Sequence, residues 1–220
     1  MSVRRVVLAA FLGCALLAVA ACGSSQYHYV KNSDDNVFFK IPSSWSQVDQ
    51  ESLEEEVNGD PDSATAQVAR EQQWVVAYDA AAEPSVEHVL SVDTPDHPTA
   101  FARVSQLTPQ QLGQVSLDSL RNLFLPVTSA ARQQAAASGQ ALDGFELIRD
   151  ETLNSDGLRG VRSTYNYEIS GGLQTFDLSA FVNDETGKVY MLLVRCSAKC
   201  YRERSSELED IASSLTVKER

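Results

Sequence analysis

The last third of the chain has the pattern that most limits its fold: strand-length segments with alternating apolar side chains, separated by short turns. Residues 145–153 predict one strand, and Asn154-Ser155-Asp156-Gly157 is typical of a hairpin turn. A second turn at Gly171-Gly172 joins two further strands. The residues that share one face are Val161, Ser163, Tyr165, Tyr167 and Ile169 on the first of these, and Phe176, Leu178, Ala180 and Val182 on the second. An antiparallel meander is therefore predicted, with Tyr165 and Tyr167 either in the core or in a partner-facing patch.

A fourth strand and a closing helix complete this C-terminal pattern. After the turn at Asp184-Glu185-Thr186-Gly187, residues 189–194 are apolar on both faces, which indicates a central strand. A helix is predicted over 201–215, with one apolar stripe formed by Leu208, Ile211, Ala212 and Leu215. Neither the sheet nor the helix buries its apolar face alone, so the helix must lie on the sheet. The predicted fold class is α+β, an antiparallel meander with helices packed on it.

The residues before the meander predict further strands and short helices. Strands are expected at 37–41, 45–48, 73–78 and 99–105, and helical turns at 51–57 and 130–137. Ser116 is a candidate N-cap for a helix whose apolar face is Leu117, Leu120, Leu123 and Phe124. Residues 83–98 contain three prolines and are interpreted as a loop. The middle segment, residues 49–139, is either an elaboration of the fold or a functional insertion.

Two parts of the sequence carry a resemblance to a known family. The opening Val37-Phe38-Phe39-Lys40-Ile41-Pro42-Ser43-Ser44-Trp45 resembles the strand–proline–tryptophan start of the PsbP-like and Mog-like superfamily. Residues 165–215 are similar to the antiparallel meander and terminal helix of that family. The resemblance implies an antiparallel sheet sandwiched between helices, used as a non-catalytic accessory or scaffold domain that binds another protein. No binding residue of the family transfers to this sequence.

The N-terminus has the three parts of a secretory signal peptide. Arg4 and Arg5 form a basic start, residues 6–21 are apolar, and the sequence Val19-Ala20-Ala21-Cys22 resembles the bacterial lipobox. The apolar run is short for a permanent transmembrane helix, which needs about 20 residues. Residues 1–21 are therefore predicted to be removed, and Cys22 to carry a diacylglycerol and a further acyl chain such as palmitate. The alternative is an ordinary secreted protein in which Cys22 is a free thiol.

Charge limits the partners of the mature chain. The full chain has 18 basic and 30 acidic side chains; loss of Arg4 and Arg5 with the leader leaves 16 against 30, a formal net charge of −14. Nucleic acid is therefore excluded as a partner class, and flat docking on anionic lipid is disfavoured. Residues 22–35 are expected to be a lipidated N-terminus and flexible tether, and residues 36–220 a single α+β domain. The predicted location is the extracytoplasmic face of the cell membrane.

Two cysteines remain for the folded body, Cys196 and Cys200. In an exported protein an even pair favours a disulfide, and a spacing of four residues closes a small loop. Redox motifs have two intervening residues, whereas this pair has three. A redox role and a metal site stay open as the lesser alternatives.

The sequence contains no recognisable catalytic motif, so no enzyme activity and no cofactor are expected. It lacks Gly-x-Ser-x-Gly, and His28 lies in the expected tether. His88 and His97 share a segment with Glu87, Asp93 and Asp96 and are weak candidates for metal ligands; a polar surface loop is the competing interpretation. The favoured function is a membrane-anchored accessory module that binds another envelope protein. The alternative is a carrier of a lipid or a small apolar ligand, with binding residues unknown.

Overall fold

Strands contain more residues than helices in the structure, a computed structural model that describes residues 26–91, 96–155 and 157–218. The strands are β1 Tyr27–Asn32, β2 Val37–Pro42, β3 Ser46–Gln47, β4 Gln73–Asp79, β5 Thr99–Gln106, β6 Asp143–Ser155, β7 Leu158–Ile169, β8 Gly172–Asn183, β9 Lys188–Ser197 and β10 Thr216–Val217. The helices are α1 Gln50–Asn58, α2 Ala64–Gln72, α3 Val86–Leu90, α4 Pro109–Leu112, α5 Leu117–Arg121, α6 Ser129–Ala137, α7 Ala198–Glu203 and α8 Ser205–Ala212. All strand pairs are antiparallel.

The larger sheet has seven strands in the order β3-β4-β5-β9-β8-β7-β6. The predicted meander is confirmed: β6, β7, β8 and β9 are consecutive neighbours, and β9 lies between β8 and β5 in the centre. The turn between β7 and β8 has Ser170 at φ 51° and Gly171 at φ 77°, the left-handed conformations that a two-residue hairpin turn requires. Tyr165 and Tyr167 are buried in the core.

One face of this sheet is covered by the C-terminal helices and by a small second sheet. The small sheet has the order β1-β2-β10 and contributes Val37, Phe39 and Ile41 to the same core cluster as Leu208 and Ile211. The single helix predicted over 201–215 is wrong in detail, because the segment forms α7 and α8. Arg204 between them has φ −119° and ψ 19°, outside the helical region, so the helix is interrupted there.

The opposite face is covered by the middle segment. Leu53 of α1, Val89 of α3 and Leu120 of α5 pack in one cluster with Tyr165 and Leu178 of the meander. The middle segment also supplies β4 and β5, which are internal strands of the large sheet. Residues 49–139 are thus part of the fold itself, and the helices on both faces of the sheet confirm an α+β sandwich.

Three local expectations differ from the structure. Within residues 83–98, interpreted as loop, residues 86–90 form α3, because the Ser85 side chain accepts a hydrogen bond from the His88 amide and caps the helix. Helix α2 was not predicted. Residues 27–32, expected to be flexible tether, form β1, which pairs along its whole length with β2 and buries Val30.

The outer face of the small sheet combines lysines with aromatic rings. The Nζ atoms of Lys31 and Lys218 lie 5.7 and 5.0 Å from the centre of the Phe38 ring, and Lys40 Nζ lies 4.7 Å from that of Tyr27. Tyr29, on the same outer face, is 76% exposed. Three of the five lysines of the chain are therefore gathered on this face.

Candidate functional site

A buried carboxylate at the end of β4 is the centre of the candidate site. Val75, Ala77 and Asp79 alternate onto the face of the sheet that the middle segment covers, and Asp79 is fully buried. Its two oxygens accept hydrogen bonds from the backbone N–H groups of Ala81 at 2.8 Å and Ser85 at 3.2 Å. The carboxylate is thereby fixed at the point where the chain turns from β4 toward α3.

Two histidines approach this carboxylate from different elements. His88, on α3, places Nδ1 2.7 Å from Asp79 Oδ2. His97, two residues before β5, places Nε2 3.9 Å from Asp79 Oδ1, which is too long for a hydrogen bond. The two imidazole rings are 4.9 Å apart at an interplanar angle of 70°. Each histidine side chain is about a third exposed, so the cluster is closed by the sheet on one side and open to solvent on the other.

The polar groups of this cluster are only partly satisfied. His97 Nε2 is buried and has no hydrogen-bond partner among the described residues. Nearby, Arg195 of β9 occupies the same row of the sheet as Asp79, since both pair with Thr99 of β5. Arg195 Nη2 donates to the carbonyl oxygens of His88 at 3.3 Å and Ser91 at 2.5 Å, which anchors the end of α3. Burial lowers the pKa of the Arg195 guanidinium to about 10.

The histidines were singled out from the sequence, but their acidic partner was not. Of the three acids considered with them, Asp93 lies outside the described residues, Glu87 is not in the cluster, and Asp96 accepts a hydrogen bond from Ser197 Oγ instead. The ligand that the structure adds is Asp79, 9 residues before His88. The available signal was an aspartate directly after a buried predicted strand, 73–78, where a charge needs a partner.

A second buried aspartate lies on the other face of the sheet. Asp177 accepts from Arg162 Nε at 3.1 Å, from Arg162 Nη2 at 2.8 Å and from the Tyr201 hydroxyl at 2.6 Å. Burial first, and the Asp177 carboxylate second, raise the pKa of Tyr201 well above its usual value. The hydroxyl therefore stays protonated as a donor, and this network ties α7 to the sheet.

Strand β6 forms one edge of the large sheet, and no strand among the described residues pairs with its outer side. It is 13 residues long and exposed at most positions, with bulges between Asp143 and Glu146 and between Leu147 and Arg149. Leu147 and Ile148 are 48% and 53% exposed. The strand also carries four carboxylates and one arginine, so this edge is both aliphatic and acidic.

Of the two predicted cysteine sites, the structure describes the Cys196–Cys200 pair and not Cys22. Cys196, at the end of β9, and Cys200, in the first turn of α7, are joined at disulfide-bonding distance with their Cα atoms 6.0 Å apart. The bond therefore links the central strand to the helix that follows it. Cys22 and the leader lie outside the described residues. No helix in the described part of the chain is long and apolar enough to cross a membrane.

Two cavities at the β1–β2 turn have charged and polar walls. One of about 470 Å³ lies between the β1–β2 turn and the start of β4, and its lining includes Asp34, Asp35, Glu54, Arg70 and Lys188. A second, of about 320 Å³, is also bordered by Asp35 and Lys188, together with Glu185 and Lys218. Lipid-binding cavities have predominantly apolar walls, so these two do not fit the carrier hypothesis. A smaller cavity of about 270 Å³ has the apolar residues Phe124, Leu125 and Pro126 in its lining.

Comparison with solved structures shows the fold. The chain is similar to the solution structure of cyanobacterial PsbP (CyanoP) from Synechocystis sp. PCC 6803, with 15% identity over 93% of this chain and 99% of that chain and a TM-score of 0.54. The chain has a PsbP-like fold. The expected architecture, an antiparallel sheet with helices on both faces, is thus confirmed. No family model and no curated protein matches the sequence.

Two further matches are more distant. LpqN of Mycobacterium tuberculosis, described as involved in cell envelope biogenesis, has 15% identity over 88% of this chain and 91% of that chain, with a TM-score of 0.44. The Ran-binding protein Mog1p of Saccharomyces cerevisiae has 8% identity over 88% of this chain and 96% of that chain, also with a TM-score of 0.44.

Proposed function

We propose that this protein is a membrane-anchored envelope lipoprotein whose PsbP-like domain is a non-catalytic accessory module that binds another envelope protein along strand β6. The observation that carries the proposal is the open, 13-residue edge of β6 with Leu147 and Ile148 exposed on it. An unpaired strand edge presents backbone N–H and C=O groups to which an extended segment of a partner adds as a further strand. Open edges of this length invite aggregation unless they are protected or used.

The side chains of β6 define the chemistry of the partner. Leu147 and Ile148 favour an aliphatic residue on the incoming segment. Asp150 is already paired with Arg121 of α5 at 2.8 Å, but the three other carboxylates Asp143, Glu146 and Glu151 outnumber the single Arg149. The segment is therefore expected to be basic. The two bulges interrupt the regular register and limit pairing with arbitrary strands, which favours one matched partner.

The anchor rests on the leader and on Cys22. From Cys22 to the first residue of β1, Tyr27, an extended chain reaches at most about 17 Å. The outer face of the small sheet begins there and carries Lys31, Lys40 and Lys218, which suits anionic headgroups although the mature chain as a whole is acidic. These features support a domain held close to the bilayer.

Site-specific photo-crosslinking in living cells tests the docking edge. A photo-reactive residue at Ile148 is expected to give one defined protein adduct, and the same residue at Val68, which is 50% exposed on α2, is expected to give none. Leu147→Lys should weaken the Ile148 adduct at least about tenfold, since burying one aliphatic side chain contributes about 1.5–3 kcal/mol. Val68→Lys is the matched control. Equal adducts from both positions, or an adduct insensitive to Leu147→Lys, would contradict docking at β6.

Mass analysis of the native N-terminus tests the anchor separately. A diacylglyceryl group on Cys22 and absence of residues 1–21 are expected. Cys22→Ala should move the protein from the membrane fraction to the medium or to the soluble envelope fraction. An unmodified thiol at Cys22, or membrane retention of an alanine variant that has lost residues 1–21, would remove the lipoprotein part of the proposal and leave the β6 result unaffected.

A further inference from the structure

The cluster of Asp79, His88 and His97 has the composition of an open transition-metal site. The geometry points to a binding site for one divalent zinc-like ion, held by a carboxylate oxygen of Asp79 and one ring nitrogen of each histidine. Three protein ligands leave a fourth tetrahedral position for water or an incoming ligand, the arrangement of zinc sites that are not purely structural.

The distances are close to those that a metal requires. One ligand atom from each of the three side chains lies within 4.8 Å of the others. A tetrahedral zinc ion with bonds of about 2.0–2.1 Å separates its ligand atoms by roughly 3.3 Å. His88 Nδ1 lies 2.7 Å from Asp79 Oδ2 and His97 Nε2 lies 3.9 Å from Asp79 Oδ1, so the two histidines face different oxygens of the carboxylate. For one ion to lie between the carboxylate and both rings, the first pair must open and the second must close. Both changes are rotations of imidazoles that are partly exposed and therefore free to adjust.

An unsatisfied nitrogen gives an independent reason to expect a ligand. His97 Nε2 is buried, faces the Asp79 carboxylate and has no hydrogen-bond partner among the described residues. Such a group costs free energy unless something bonds to it. A metal ion between His97 and Asp79 would accept the lone pair of Nε2 and neutralise the buried carboxylate in one step.

The donor set selects the class of ion. Two imidazole nitrogens and one carboxylate suit zinc and neighbouring first-row metals. Magnesium and calcium prefer six or more oxygen ligands, which this cluster does not supply. We therefore expect zinc to bind and magnesium and calcium to be excluded at the same concentration.

The surroundings hold the ligands in place. The amides of Ala81 and Ser85 fix the Asp79 carboxylate, and Arg195 fixes the carbonyl groups of His88 and Ser91 at the end of α3. Hydrogen-bond partners of a ligating side chain, as the two amides are for Asp79, typically change metal affinity 10–100-fold. Arg195 contacts only backbone carbonyl groups and holds the end of α3 in place.

Titration of the mature protein, extracted in mild detergent and freed of metal by a chelator, tests the site. Zinc sulfate is expected to bind with one ion per chain in calorimetry, and cobalt substitution should give the intense visible absorption of a four-coordinate ion. His97→Ala should reduce zinc affinity roughly 100-fold or more, because a direct ligand outweighs an outer partner. His28→Ala, which removes the third histidine of the chain, a residue of β1, is the matched control and should bind as the wild type does.

Thermal unfolding gives a second readout. Zinc at about 100 times the wild-type dissociation constant should raise the midpoint of wild-type unfolding by roughly 5–10 °C and that of His97→Ala by no more than about 1–2 °C. Circular dichroism of His97→Ala without metal checks that the variant is folded. Absence of zinc binding to the wild type, equal zinc binding by His97→Ala, or equal stabilisation by magnesium would overturn the proposal.

Discussion

Two buried aspartates lie on opposite faces of the same sheet, and both are fully buried. Asp177 is paired on every side, with two bonds from Arg162 and one from Tyr201. Asp79 accepts hydrogen bonds from the amides of Ala81 and Ser85 and has a short contact with His88. Its further neighbour His97 is 3.9 Å away, and the Nε2 atom of His97 has no partner among the described residues. Burial therefore does not distinguish a structural carboxylate from a candidate ligand, whereas an unsatisfied polar group beside the carboxylate does.

The identity of the partners explains the difference. The guanidinium of Arg162 has only donors and no lone pair for a metal, so the Asp177 network can be satisfied only within the protein. A neutral imidazole is a donor at one nitrogen and an acceptor or metal ligand at the other. The Asp79 cluster can thus exist in two forms, one with a hydrogen bond between His88 and Asp79 and one with a metal ion bound. The Asp177 network has only its hydrogen-bonded form.

The largest effect is expected from Asp177→Asn. The substitution leaves the buried Arg162 guanidinium without its counter-ion, which costs about 3–5 kcal/mol of unfolding free energy. Urea unfolding monitored by circular dichroism measures the loss, and zinc should not change it. A loss below about 1 kcal/mol would show that this network is not the structural member of the comparison.

Tyr201→Phe should have an intermediate effect. It removes one hydrogen bond to a charged group and keeps the ring, so the free energy of unfolding should fall by about 1.5–3 kcal/mol. The same urea experiment applies. If Asp177→Asn and Tyr201→Phe are combined, the sum should exceed the effect of the double variant, because both act in one network.

Asp79→Asn should lower the free energy of unfolding less than Asp177→Asn does when no metal is present, and it should abolish stabilisation by zinc. The amide keeps the shape of the carboxylate but exchanges one accepting oxygen for a donor, so we expect a loss of about 1–3 kcal/mol in the absence of zinc. The zinc-dependent rise in unfolding temperature should disappear entirely. A variant that retains this rise would show that Asp79 is as structural as Asp177.

The smallest effect is expected from Asp184→Asn, which tests how much burial contributes to the stability of an Arg–Asp pair. Arg159 donates two hydrogen bonds to Asp184, from Nε to Oδ2 at 2.7 Å and from Nη2 to Oδ1 at 2.9 Å. Arg162 donates to Asp177 in the same bidentate way, but the Arg159–Asp184 pair is exposed. Its loss should cost about 0–1 kcal/mol. The hydrogen bond from Arg159 lowers the pKa of Asp184, so its small contribution is present above about pH 4 and is lost as the pH falls through the folded-state pKa. A loss as large as that of Asp177→Asn would contradict the role given to burial.

The meander could be predicted from the sequence because its signal is local. Alternation of Phe176, Leu178, Ala180 and Val182 and a glycine turn before them determine the face and the register within a few residues. The interruption at Arg204 and the pairing of β1 with β2 could not be predicted in this way. The first depends on how α7 and α8 pack on the sheet, and the second on a distant apolar core that buries Val30.

Only the two histidines of the candidate site could be predicted from the sequence, for a similar reason. His88 and His97 share one segment, so their proximity could be inferred. Asp79 reaches them because β4 and β5 are antiparallel neighbours, which brings Asp79 opposite Thr99, two residues after His97. Sequence spacing does not report that pairing, although an acid following the apolar run of β4 was a sign of a buried, paired charge.

The early start of β1 has a consequence for the range of the domain. In the proposed lipoprotein, an extended chain from Cys22 to Tyr27 would reach at most about 17 Å. The small sheet, which begins with β1, would then be the part of the domain nearest to the bilayer. A partner that pairs with β6 would have to approach the domain while it is held at that distance.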